Sequence, residues 1–476
     1  MDYCSTVSAI LCLFGLTARV SAEEFSVAPM KAEQQTVLES IEQGDVLATV
    51  SFLASDEMGG RNTPSPELEI AAAYVASRFR GAGLEGLGPA GSFFQSKELP
   101  QFVSPKGRAS VSAGGEPVKT LGVLFSPQKA KSFTSATIEG AKPEECEGKI
   151  VLVDDLDLPP QTLSNPAFAF VAWSRRLQAY VDNKAVAALV RVSPESALPE
   201  FLNEQQGKPL SVPGPLILDC PVIVIPAEAS IEGDVTIEMP GREESVSVVR
   251  NVIGVLRGSD PELSKEAIIV SAHLDHIGRL TGDRGGDSVN NGADDNATGV
   301  TAVVMLADAF GKLKTRPRRS MIFMTFWGEE KGLLGSKHYC ESPCWPLEKT
   351  IANINIEMIG RPEANAENKM WGTGWTHSTL CDQISSGAKR VGIDVFYRED
   401  VSEMLYKRSD NYSFVQKGVI AHSFSAGSLH SDYHQPSDEV ALLNLPHMTE
   451  IIKGLFAGTL PIADGELTPT KSAESK

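Results

Sequence analysis

Apolar residues in the second half of the chain come in short unbroken runs that stop at charged or turn residues. AIIVSA (267–272) stops at His273, MIFMTFW (321–327) at Gly328 and Glu329, and IANINI (351–356) at Glu357. Runs this apolar predict buried strands, the second one above all. Helical spacing appears elsewhere. Ser65 is a good N-cap with Pro66 at the first helical position, and Leu68 to Phe79 keep the helical rhythm until Gly81 and Gly83 stop it. A second helix is predicted from about Thr298 to Lys312, with Val300, Val303, Val304, Ala307 and Phe310 on one face. Strand and helix signals alternate to the end, which predicts an α/β fold with a mixed β-sheet flanked by helices.

The texture changes between about 101 and 250. Proline is frequent there, and short β-rich runs such as KIVLVDD (149–155) and PVIVIPA (221–227) surround a helix-like piece around Arg175 to Ala187. This predicts a separate β-rich unit inserted into the larger domain. No repeat of solenoid period occurs. The partition expected is therefore a signal peptide at 1–22, a first part of the main domain at 23–100, the insert at 101–250, the catalytic domain at 251–464 and a loose polar tail at 465–476.

Composition narrows the classes. At 476 residues, 42% hydrophobic and 22% charged, the chain is long enough for more than one core. A formal net charge of −18 disfavours nucleic acid and anionic membrane as partners. The apolar stretch Val7–Leu16 followed by Val20-Ser21-Ala22 has the length and cleavage pattern of a signal peptide, although the segment before it carries Asp2 and no Lys or Arg. A secreted or periplasmic location is expected, with no stable membrane span. Cleavage after Ala22 would leave five cysteines, an odd number, of which Cys340 and Cys344 are placed to form a small-loop disulfide.

Five side chains that suit metal binding lie in order: His273 in SAHLDHIG, Asp295 in NNGADDNATG, Glu330 in FWGEEKG, Glu357 in INIEMIGR and His434 in SDYHQPSDE. Any one of them alone is more often a capping or solvated residue. Together, two imidazoles and three carboxylates suit a pair of zinc ions, because a two-metal hydrolytic site needs one carboxylate to bridge ions about 3.5–4 Å apart. Three of them follow strands, and in an open α/β sheet catalytic groups gather beyond the carboxyl ends of the strands. Glu329 beside Glu330 is left over as a general base. Asp275, two residues after His273, falls on the same side of an extended strand end and is expected to orient the imidazole.

The motifs HxDH, GADDNATG, GEExGLLGS, EMIGR and DYHxPxD, in this order, resemble those of the M28 aminopeptidases, zinc peptidases with two co-catalytic ions. LASDEMGGR (53–61) and GLEGLGPAGSFFQ (83–95) are similar to the start of such domains, and GKIVLVDD, AVAALVRVS and CPVIVIPAEA resemble, more loosely, the protease-associated domain that many of them carry as an insert. The resemblance implies the zinc aminopeptidase fold, with His273 and Glu357 on one zinc, Glu330 and His434 on the other, Asp295 rather than Asp294 bridging, and Glu329 as base. It implies a cis peptide after Asp295. Glu357 stands where the family mostly has Asp. His276 is expected to support its loop and His430 to line the pocket, with Asp410 either in the pocket or in a turn. His338, His377, His422 and His447 are expected in surface or core roles.

The function so implied is a di-zinc exopeptidase that removes N-terminal residues from peptides with a free N-terminus. No motif fixes the pocket for the substrate terminus. A carboxypeptidase, a dipeptidase or a glutaminyl cyclase on the same fold remains open, as does a non-catalytic receptor-like module, which would be expected to lack ligands or base.

Overall fold

The computed structural model describes residues 25–103, 109–140, 142–154, 156–163, 166–210, 218–280, 286–427 and 429–472. The expected signal peptide lies outside them. The main domain is a mixed α/β unit built on a ten-stranded sheet. Its principal strands are β1 (Phe94–Val103), β2 (Glu243–Leu256), β3 (Ala267–His273), β4 (Ser320–Phe326), β5 (Thr350–Ile356), β6 (Lys369–Gly372), β7 (Asp394–Phe396) and β8 (Ala421–Ser425). They lie side by side in the order β1-β2-β4-β3-β5-β8-β6-β7. The four central strands β4, β3, β5 and β8 are parallel to one another, so their carboxyl ends share one edge.

The apolar runs are buried on both faces, as the sequence pattern requires. In β3, Ile268, Val270 and Ala272 join the larger core cluster while Ala267 and Ile269 face the other side. The larger cluster is closed by α1 (Pro66–Gly81), α2 (Gly299–Lys312), α3 (Leu380–Ala388) and α4 (Leu445–Ala463). Ser65 caps α1 by accepting from the Leu68 amide at 3.1 Å, and Asn444 caps α4 by accepting from that of His447 at 3.1 Å. Burying Phe79, Phe310 and Phe456 against this face supplies about 1.5–3 kcal/mol for each side chain taken out of water.

The β1–β2 ladder runs to the pair Val103 and Glu243, so strand pairing with the main sheet extends past Gln101 and resumes before Arg250. Between these points lie a five-stranded and a four-stranded sheet. Ile150, Leu189 and Ile223 of the first pack with Val111, Val235 and Ile237 of the second. A helix at Pro166–Asp182 covers the other face of the five-stranded sheet through Phe170, Trp173 and Leu177. It starts nine residues before the expected Arg175, because these three apolar residues fall on one helical face, and it stops well before Ala187, which opens a strand.

Two expectations fail. Residues 465–472 are fastened rather than loose: Arg319 donates to the Leu467 carbonyl and the Thr468 hydroxyl, Thr470 accepts from the Thr379 amide, and Lys471 bridges to Ser378. A polar segment can be held by hydrogen bonds that hydropathy does not register. Cys340 and Cys344 are free thiols, not a disulfide. Among the described residues no helix is long and apolar enough to cross a membrane.

Candidate metal centre

The loops leaving the parallel strands carry the candidate residues to one place. His273 is the last residue of β3. β4 ends at Phe326 and turns through Gly328, at φ +69°, to Glu329 and Glu330; an added Cβ there would sit 3.0 Å from that of Leu334, so the turn requires glycine. Glu357 follows β5, Asp295 lies in the turn that opens α2, and His434 lies in the loop after β8. The peptide bond Asp295–Asn296 is cis, where it was expected.

Asp295 stands between two pairs. Its Oδ1 lies 3.3 Å from Nε2 of His273, which is itself 3.3 Å from Oε2 of Glu357. Its Oδ2 lies 3.2 Å from Nε2 of His434, which is 3.2 Å from Oε2 of Glu330. Asp295 Oδ2 and His434 Nε2 are buried atoms with no hydrogen-bond partner. Three sets of donors among the described residues are close enough to hold a cation: His273, Asp295 and Glu357; His276, Asp295, Glu330 and His434; and His273, Glu329 and Glu330. Asp294 points elsewhere, accepting from the Gly360 amide at 2.8 Å.

Residues 251–457 match the model of peptidase family M28. The match covers less than half of the chain and includes all five candidate ligands and Glu329. Aminopeptidase YwaD of Bacillus subtilis is 26% identical over 199 residues, which are 40% of this chain and 40% of that protein, so the likeness spans less than half of the relative. Among solved structures, an aminopeptidase from Aneurinibacillus sp. strain AM-1 is similar with a TM-score of 0.52 and 17% identity, over 90% of this chain and 96% of that one. A zinc aminopeptidase from Bacillus subtilis, BSAP, is similar with a TM-score of 0.50 and 16% identity, over 88% and 94%. At such identities the two structures establish a shared fold.

The candidate ligands are held through a second layer of contacts. The Asp275 carboxylate does not orient His273 as expected; Nδ1 of His273 is 3.0 Å from the backbone carbonyl of Asp275 and 4.0 Å from its carboxylate. That carboxylate instead accepts from the Glu329 amide and the Thr63 hydroxyl, both at 3.0 Å, which fixes the backbone at Glu329. Asp438 accepts from the amides of Asp294 and Asp295. Asn296 donates to Glu357 Oε2 at 2.7 Å, and Asn355 and Ser409 donate to its Oε1.

No pattern in the sequence singles out Arg61, and the motif around His276 implies only support for its loop. Arg61 is buried, and its guanidinium donates to the carbonyls of Leu53, Leu274, Asn291 and Gly292. His276 does more than support its loop: Nδ1 is 2.8 Å from Glu330 Oε1. His430 turns away from the cavity, 3.1 Å from Arg361 Nη1 and 3.3 Å from Asp294. Asp410 is buried behind the cavity wall at the start of the helix 411–415. His422 and His447 are core residues, and His377 stacks on Tyr406.

Electrostatics mark the cluster as anionic. Burial opposes charge on His273 and His434, but the surrounding carboxylates overcome it and hold both imidazoles above their usual pKa, His434 up to about 10. Glu330 is pulled down to about 2: burial and the Asp295 charge oppose ionisation, and the hydrogen bond from His276 and the His434 imidazole 3.2 Å away prevail. Burial pushes Glu329 well up, against the pull of His273, and Glu330 and Asp410 add repulsion. Protons on the imidazoles thus balance the carboxylates where cations would do so. The cluster opens into a cavity of about 740 Å³.

Proposed function

We propose that the chain is a di-zinc aminopeptidase. His273, Asp295 and Glu357 would hold one ion, and Asp295, Glu330 and His434 the other. The observation that carries this reading is Asp295, each of whose carboxylate oxygens faces a different imidazole and carboxylate pair. The donors fit zinc, which takes imidazole and carboxylate ligands in low coordination number, and buried atoms without partners are what such a site would use. The match to a peptidase family supports hydrolysis, and the similarity to an aminopeptidase and a zinc aminopeptidase supports the finer assignment.

Bound zinc would supply Lewis acidity toward water and a peptide carbonyl. The chain supplies the proton transfers. Glu329 is anchored through its amide to Asp275, while its side chain lines the cavity. Its raised pKa suits a group that takes a proton from the attacking water and returns it to the departing amine. The burial of Asp295 keeps bulk water from competing with substrate at the cluster. Export of the chain through residues 1–22 and a protease-associated character of the insert complete the proposal.

The test is hydrolysis of leucine p-nitroanilide beside its N-acetyl derivative, with zinc-loaded protein and a Glu329→Gln variant. Cleavage of the free-amine substrate alone, reduced roughly 100-fold or more in the variant while zinc content is unchanged, is the expected result. Equal cleavage of both substrates would overturn the aminopeptidase assignment.

A further inference from the structure

The charged residues that line the main cavity are segregated. All four acidic ones, Asp295, Glu329, Glu330 and Glu357, belong to the cluster at its floor. The four basic ones, Lys337, Arg398, Lys407 and Arg408, lie off it. Arg398 is already neutralised by Glu363 at 2.6 Å and by Asp400, and the Lys337 ammonium donates to the Gly332 carbonyl at 2.9 Å. Lys407 and Arg408 are exposed, and among the described residues their side chains have neither a hydrogen-bond nor an ion-pair partner.

Their position is set by the chain. They directly precede Ser409, whose hydroxyl donates to Glu357. Both cations therefore start within two residues, about 7 Å of extended chain at most, of a side chain that holds Glu357. Two adjacent unpaired cations on the wall of an active-site cavity are also against the trend of a chain with net charge −18. The wall also includes Trp371, Val401 and Leu405, which suits an apolar side chain.

Resting on the aminopeptidase reading, we propose that Lys407 and Arg408 are specificity-determining residues that select substrates bearing a free carboxylate close to the scissile bond. That carboxylate is either the C-terminus of a short peptide or an acidic side chain just beyond the cleaved bond. A cationic wall raises the local concentration of such substrates and orients them, because their carboxylate is drawn to the wall.

The experiment compares kcat/KM within two pairs of substrates on zinc-loaded protein. Leucyl-glycine against leucyl-glycine amide tests the C-terminal carboxylate. The α-amides of leucyl-aspartate and leucyl-asparagine test the side chain. Wild type is expected to prefer the carboxylate by about tenfold or more in at least one pair, chiefly through KM, and the pair that responds identifies the source. In Lys407→Glu/Arg408→Glu the ratio within that pair should fall to one or invert, with thermal unfolding unchanged. Ratios near one in both wild-type pairs, or a preference that survives the double substitution, would overturn the proposal. So would cleavage of leucine p-nitroanilide without cleavage of any of the four peptides. Loss of all activity, p-nitroanilide included, would instead overturn the aminopeptidase reading and this inference with it.

Discussion

Nδ1 of His276 lies 2.8 Å from Oε1 of Glu330, whose other oxygen faces His434 at 3.2 Å. His276 is fully buried, and its Nε2 has no partner. A buried N–H without an acceptor costs more than a buried lone pair, so the proton belongs on Nδ1, and the ring donates to Glu330. In that role His276 holds Glu330 in the orientation that presents Oε2 to the cluster. Replacing it with Leu is expected to lower zinc affinity roughly 10–100-fold at one of the two sites. His276→Asn, whose amide nitrogen falls near the position of Nδ1, should recover most of that loss. Zinc competition with a chromogenic chelator reads both outcomes; equal affinities in Leu and Asn variants would show that the hydrogen bond does not matter.

Glu357 is held by Asn296 at 2.7 Å, Asn355 at 3.1 Å and the Ser409 hydroxyl. These donors are placed for a glutamate. Glu357→Asp restores the residue more usual in the family but withdraws the carboxylate by about one ångström, enough to strain a fixed constellation. The expected result is a weaker first zinc site, by about tenfold, with the second site unaffected. Metal content after graded chelation measures it, and an Asp variant that binds zinc as tightly as wild type would show that the donors adjust.

The sequence made the frame of the site legible because buried strands leave a direct trace. The apolar runs of β3, β4 and β5 give strand position and direction, and direction places His273, Glu329, Glu330 and Glu357 at one edge. Their burial on both faces follows from the same pattern. What the pattern does not encode is where a side chain points after the strand ends, since Met358 and His434 adopt positive φ and Gly328 turns the chain at φ +69°. This is why Asp275 was expected to hold His273 with a carboxylate that in fact anchors Glu329. Arg61 and the fastening of residues 465–472 were equally hidden, because each depends on partners far along the chain, 230 residues for Arg61 and Asn291 and 148 for Arg319 and Leu467.

Arg61 joins three segments. Its Nε donates to the Leu274 carbonyl at 2.9 Å, beside His273, and its terminal nitrogens donate to Leu53, to Asn291 at 2.8 Å and to Gly292 at 3.1 Å, just before Asp295. Burial lowers its pKa to about 10, opposed by the charges of Asp295, Asp275, Asp438 and Glu330, so it is cationic at neutral pH. Arg61→Met would take this donor from the carbonyls of Leu53, Leu274 and Asn291, while that of Gly292 keeps its bond from the Ala297 amide, and would remove the charge that balances the carboxylates. A loss of about 3 kcal/mol or more in unfolding free energy is expected from urea denaturation. Arg61→Lys should recover little, because a single ammonium cannot reproduce the planar fork.

His422 gives a pH dependence separate from the metal centre. It is fully buried, with Nδ1 2.6 Å from the Thr373 carbonyl and Nε2 2.6 Å from the Ser378 hydroxyl. A carbonyl only accepts, so Nδ1 carries the proton and Nε2 accepts from Ser378, which satisfies the neutral ring. Burial pushes its pKa down to about 4, outweighing the Thr373 bond. In the unfolded chain the ring titrates near 6.5. As pH falls from about 6.5 to about 4 the unfolded state takes a proton that the native state refuses. The contribution is therefore complete above pH 6.5 and is lost toward pH 4, by about 3 kcal/mol across the window. Other groups titrate in the same range, so the measurement is a difference: urea unfolding of wild type and His422→Asn at several pH values between 4 and 8. The variant should be less stable at pH 8 and should close the gap on wild type as pH falls. A gap that stays constant would mean that His422 binds its proton equally in both states.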